Sequence, residues 1–158
     1  MSLARGFRLD LARGTRAWAP ARSRMSRWAA AALGRRGSGR EIAVRIVGEN
    51  ESRELNRMWR GKDKPTNVLS FPAPEQSKRG KPLDYRMPLG DLVICAQVVR
   101  REALRDGKPV EAHWAHMVIH GSLHLAGYDH ENGRRERLRM ERREIAVLRS
   151  FGIGNPYA

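Results

Sequence analysis

All five histidines of this 158-residue chain fall between positions 113 and 130: His113, His116, His120, His124 and His130. His116, His120 and His124 recur every four residues, which on an α-helix sets them in one row. Adjacent members of such a row can chelate a metal ion, but all three cannot share one. Eight residues of helix separate His116 from His124 by about 12 Å, whereas each ligand of a zinc ion lies roughly 2 Å from it. Gly127 selects the pair. Three residues beyond His124, it can take the left-handed backbone that ends a helix, so the chain turns and His130 returns toward the same face. The expected ligands are therefore His120, His124 and His130, holding one zinc ion per subunit. Three neutral nitrogens leave a fourth tetrahedral position for water, as catalytic zinc requires and structural zinc does not. Such a site also accepts nickel, copper or iron. His113 and His116 are expected to be buried, hydrogen-bonded side chains.

The rest of the pattern supplies a frame for that helix. Phe7, Leu9 and Leu11 alternate with Arg8 and Asp10 as in a short strand, and Pro20 opens a helix through Leu33 that Gly34, Gly37 and Gly39 end. Ile42–Val47 is a β-branched strand. A helix over 51–60 places Leu55, Met58 and Trp59 on one side and stops at Gly61. Asn67–Phe71 and Leu89–Cys95 read as strands, separated by a polar loop over 75–86. Helices are expected over 97–106 and 110–125. A third, over 134–151, repeats Leu138, Ile145 and Leu148 at helical spacing. Strands interleaved with helices, then helices alone, predict a single α+β domain with a small mixed sheet covered by helices and the metal site on a helix and its following loop. Residues 1–40 are expected to form a basic segment, a short strand and a helix, joined to a metal-binding domain over 41–158, the whole making one domain.

The formal charge of +14 is concentrated at the start, where ten arginines and one acid, Asp10, give residues 1–40 a charge of +9. Polyanions are the expected partners, because each phosphate neutralised releases counterions. An arginine-rich, acid-poor start also resembles a targeting presequence. The same bias recurs in Arg134, Arg135, Arg137, Arg139, Arg142 and Arg143, so it is read as composition. The single Cys95 sits in an apolar run and has no internal disulfide partner, which fits a reducing cytoplasm. No apolar stretch approaches the roughly 20 residues of a membrane span.

His120, His124, Gly127 and His130 match the spacing of the metzincin proteases, H-E-x-x-H-x-x-G-x-x-H, in which the residue after the first histidine is the general base. Here that residue is Gly121, which cannot accept a proton. A zinc protease without its glutamate is thus a weak alternative. Loss of that carboxylate also removes a negative charge beside the ion, which suits an anionic phosphodiester.

Joined to the segments RGKDKPTNVLSFP (Arg60–Pro72) and LGDLVIC (Leu89–Cys95), the histidine segment closely resembles the YbeY family of bacterial single-strand-specific metallo-endoribonucleases. The resemblance runs from Ile42 to Tyr157. It implies a zincin-like α+β fold, zinc on His120, His124 and His130, and action on single-stranded RNA at the 3′ end of 16S rRNA. It also implies late-stage 70S ribosome quality control, with small-subunit ribosomal proteins and the GTPase Era as partners. Arg60 matches an arginine that the family treats as functional, and a guanidinium can grip two phosphate oxygens and neutralise developing charge. Lys62 and Lys64 beside it are expected to contact substrate. Asp91 is either an acceptor for a ligand histidine or a turn residue. The alternative from another class is a ribosome-assembly RNA-binding protein in which the metal only stabilises the fold.

Overall fold

The computed structural model describes residues 4–75, 77–129 and 131–158. Four strands, β1 (Arg8–Arg13), β2 (Arg40–Val47), β3 (Val68–Pro72) and β4 (Met87–Cys95), form one sheet in the order β1-β2-β4-β3. The first three in that order are parallel, and β3 runs antiparallel to β4. Helices α1 (Arg22–Leu33), α2 (Glu49–Arg60), α3 (Ala96–Arg105), α4 (Val110–Leu125) and α5 (Arg134–Ser150) complete the α+β fold, with a single turn of 3-10 helix at Gly34–Gly37. The helices begin and end within two residues of their expected limits. None among the described residues is long and apolar enough to cross a membrane.

The period of two along each strand divides the core between the two faces of the sheet. Ile42, Val44 and Ile46 of β2, with Leu92 and Ile94 of β4, face α1 and α4 and are essentially inaccessible to water. The arginine-rich start contributes Leu9, Met25, Trp28 and Ala29 to this layer, and β1 pairs along β2. On the opposite face Val93 and Cys95 pack with Leu69 and Val98 in a smaller cluster that Leu55 and Phe71 flank. Cys95 is buried there, as its apolar surroundings predict.

Two glycines let the layers approach. A Cβ on Gly121 of α4 would lie 2.7 Å from Leu92 Cδ2 and 3.4 Å from Ser70 Oγ, so the helix passes the sheet at a distance only glycine allows. Position 121 therefore has no room for a glutamate. At Gly90, where β4 carries an irregularity against β2, a Cβ would lie 2.4 Å from the Phe71 carbonyl oxygen, and φ is +152°.

The helix over 49–60 departs from its sequence reading. Its buried residues are the polar Ser52 and Asn56, while Met58 and Trp59 stand in solvent. The reason lies in the loop that follows. Ser52 Oγ donates to the Thr66 carbonyl at 3.0 Å and accepts from the Thr66 N–H at 2.9 Å, and Asn56 Nδ2 donates to the Lys64 carbonyl at 2.8 Å. Arg53 grips Asp63 with two hydrogen bonds of 2.8 and 3.0 Å. Backbone groups that would otherwise be unpaired are thus satisfied by the polar side of α2, which holds the 61–67 loop in one shape.

Candidate metal and phosphate site

Helix α4 carries His113, His116, His120 and His124, and the expected turn follows it. The Gly127 N–H donates to the His124 carbonyl and the Tyr128 N–H to the Leu123 carbonyl, both at 3.0 Å. Gly127 has φ of +98°. This pair of bonds around a left-handed glycine is the Schellman ending of a helix. It reverses the chain immediately after His124. His130, the third expected ligand, lies outside the described residues. Gly127→Ala should cost roughly 1–2 kcal/mol from backbone strain alone, because a Cβ there meets nothing within 4 Å. Zinc affinity should fall although no ligand has changed. Equal affinity by competition with a chelating dye would show that the turn does not place a ligand.

A carboxylate that the sequence reading missed organises the histidine row. Glu144 of α5 is fully buried. Its Oε1 accepts from His120 Nδ1 at 2.7 Å, and its Oε2 accepts from His116 Nε2 at 2.9 Å and from the Tyr157 hydroxyl at 2.5 Å. Burial pushes this carboxyl upward, but the hydrogen bonds it accepts from His116, His120 and Tyr157 more than offset it and hold the group at about 2. Burial lowers the pKa of His116, against the opposing pull of Glu144. His116 is therefore neutral at pH 7, with its proton on Nε2. Its Nδ1, buried with no partner among the described residues, then carries a lone pair rather than a stranded N–H.

Ligand atoms of His116, His120 and Glu144 all lie within 4.8 Å of one another, close enough to hold an ion. A second placement is open on the other side of His120. Bonding of Nδ1 to Glu144 fixes the tautomer of a neutral His120 and assigns the lone pair to Nε2, the arrangement in which a carboxylate orients a ligand histidine. The His124 ring packs 4.7 Å from the His120 ring, centroid to centroid. Both histidines line a groove of about 680 Å³. Edge strand β3 forms one wall, the end of α2 and the 127–129 turn form the rim, and Arg60 faces in.

Arg60 is the last residue of α2 and reaches Glu131 across the groove at 3.5 Å, with 40% of its side chain exposed. Lys62 and Lys64, expected near the substrate, are exposed on the loop and do not line the groove. Asp91 is not a turn residue. It lies in the middle of β4 opposite Phe71, and it lines a separate groove on the other face of the sheet. His113 is buried, as expected. Its Nε2 bonds Glu102 Oε1 at 2.9 Å, and Glu102 accepts from Asn67 Nδ2 at 3.0 Å, so His113 ties α4 through α3 to the start of β3.

A family model described as endoribonuclease YbeY matches residues 18–152. The chain is 50% identical over 139 residues to a Halorhodospira halophila protein named endoribonuclease YbeY, covering 88% of each chain. It is 52% identical over 151 residues to the Methylococcus capsulatus protein of that name, covering 94% of each. A solution structure of a Thermotoga maritima protein superimposes with a TM-score of 0.52 at 26% identity and covers 91% of both chains.

Proposed function

This chain belongs to the endoribonuclease YbeY family, and we propose that it is a zinc-dependent, single-strand-specific endoribonuclease whose ion is held by His120, His124 and His130. The observation that carries this reading is that His120, His124 and Arg60 face one groove, with the His120 tautomer set by Glu144. The donor set fits: neutral imidazoles, one of them anchored by a buried carboxylate, are the usual company of a catalytic zinc. When bound, zinc there would supply Lewis acidity toward a phosphoryl oxygen and acidify a water toward neutral pH.

The chain's own residues supply the rest. Arg60 offers two parallel N–H donors to the non-bridging oxygens of the scissile phosphate, where negative charge builds during attack. Its contact with Glu131 is long and half exposed, so a phosphate can compete for the guanidinium at small cost. Buried Glu144 keeps His120 in the ligand tautomer, and the His113–Glu102–Asn67 chain keeps the β3 wall in place. The basic surface, including the seven arginines of α5, supplies salt-dependent attraction to the RNA backbone. We place this activity in the cytoplasm at the 3′ end of 16S rRNA and in late ribosome quality control, with small-subunit proteins and Era as partners. The family resemblance and the net charge of +14 support that assignment.

Arg60→Lys tests substrate class and role together. Lysine keeps the charge but loses the two-pronged geometry. Cleavage of a single-stranded RNA should slow by about a hundredfold to a thousandfold, the value of one transition-state contact. Zinc content and RNA affinity should stay near wild type. Normal cleavage by the variant would remove Arg60 from the chemistry, and a binding loss equal to the rate loss would make it a docking residue only.

A further inference from the structure

Trp59 immediately precedes Arg60, and it is 65% exposed on a helix whose two buried residues, Ser52 and Asn56, are both polar. An indole in solvent forgoes much of the free energy that its burial would supply, so its position calls for a partner. The ring is held in place. It meets the Phe71 ring of β3 edge-to-face, with centroids 5.6 Å apart and planes at 68°. Both residues line the groove that contains Arg60, His120 and His124, and both also line the groove on the Asp91 side of the sheet.

The geometry points to Trp59 as a stacking platform for an unpaired nucleobase, with Phe71 as its brace and Arg60 holding the adjoining phosphate. The inference rests on the endoribonuclease reading and explains how such a groove would prefer a single strand. In an A-form duplex each base is stacked on both faces and paired along its edge, so no face can reach a side chain. In a single strand a base can swing out onto an aromatic ring, and one such contact is worth roughly 5- to 150-fold in affinity. The other aromatic ring at the groove, Tyr128, is already engaged: the guanidinium groups of Arg36 and Arg139 lie 5.2 and 5.0 Å from its centroid. Trp59 is the groove aromatic with ring surface to offer. A nucleobase fits better than a protein side chain because the next residue along the helix is an arginine aimed at the same cavity.

The test measures affinity of the full chain for three dye-labelled probes in the presence of a chelator, so that nothing is cut. The probes are a short oligoadenylate RNA, the same strand annealed to its complement, and a strand of equal length with abasic sugars. Trp59→Ala should weaken binding of the unpaired strand by about 5- to 100-fold and leave the duplex and the abasic strand unchanged. Trp59→Tyr should restore most of the loss. Because the side chain is exposed, both variants should melt at the wild-type temperature. An unchanged affinity of Trp59→Ala for the unpaired strand, or an equal loss on all three probes, overturns the stacking role, and the first of these would assign the indole to another contact such as a protein partner. Failure of the endoribonuclease reading is visible separately: the wild-type chain would then show no preference for the unpaired strand and, with zinc restored, no cleavage of it.

Discussion

His124→Ala should lose its bound zinc and, with it, at least about a thousandfold in the rate of RNA cleavage, since the ion is asked to supply several kcal/mol of transition-state stabilisation. His124 lines the groove and packs on His120, but it is not among the three residues whose ligand atoms lie within 4.8 Å of one another. The variant therefore separates the two placements of the ion. If the ion sits on the groove side, His124→Ala empties the site, whereas His116→Ala and His113→Ala keep a full equivalent of metal. If it sits among His116, His120 and Glu144, His116→Ala loses the metal while His124→Ala and His113→Ala retain it. Burial favours the groove side, because an ion on the Glu144 side would have to displace three hydrogen-bond donors from a carboxylate closed to solvent. Metal content should be measured on protein purified without nickel resin, at matched folded fraction.

Glu144→Ala should be the most destabilising substitution in the site, at roughly 3–5 kcal/mol, the usual penalty for breaking a buried charged network from one side. It removes the acceptor shared by His116 Nε2, His120 Nδ1 and the Tyr157 hydroxyl, and a buried donor that loses its acceptor costs its desolvation. Glu144→Gln keeps the volume but turns one acceptor into a donor, so it should lose less stability while still disturbing the His120 tautomer. Zinc affinity of the glutamine variant should drop about 10- to 100-fold, as when the partner of a ligand histidine is removed. Urea unfolding and metal competition read the two effects independently. A Glu144→Ala variant within about 1 kcal/mol of wild type would mean that the donors find other partners, and wild-type zinc affinity in Glu144→Gln would remove Glu144 from the support of the site.

The helix of histidines, its end at Gly127 and the strand order along the chain were legible because each is written in local periodicity and turn chemistry. The exposed Trp59 was not. Leu55, Met58 and Trp59 share a side in any reading of α2, but the loop over 61–67 needs the polar side of the helix for its own carbonyl and N–H groups, and that demand decides which side turns inward. Nor was Glu144 legible. In the segment 134–150 three glutamates, Glu136, Glu141 and Glu144, are interspersed with seven arginines and read as a charged surface, and the expected stripe of Leu138, Ile145 and Leu148 shares Leu148 alone with the line that is actually buried, Met140, Glu144, Val147 and Leu148.

By itself the sequence determined the spacing of the histidine row, the glycine that ends its helix, the missing base at position 121 and the segment that ends α2 with an arginine. These are properties of neighbours within one or two turns, where backbone geometry leaves few choices. Only the tertiary structure decided that α5 inserts a carboxylate behind His116 and His120, that Asp91 belongs to the other face of the sheet, and that Arg60 and Trp59 open onto the same groove as His120 and His124. Those facts depend on which elements pack together. A charge can be buried where donors from α4 and the 151–158 segment converge on it, and no local pattern in α5 records where those donors will be.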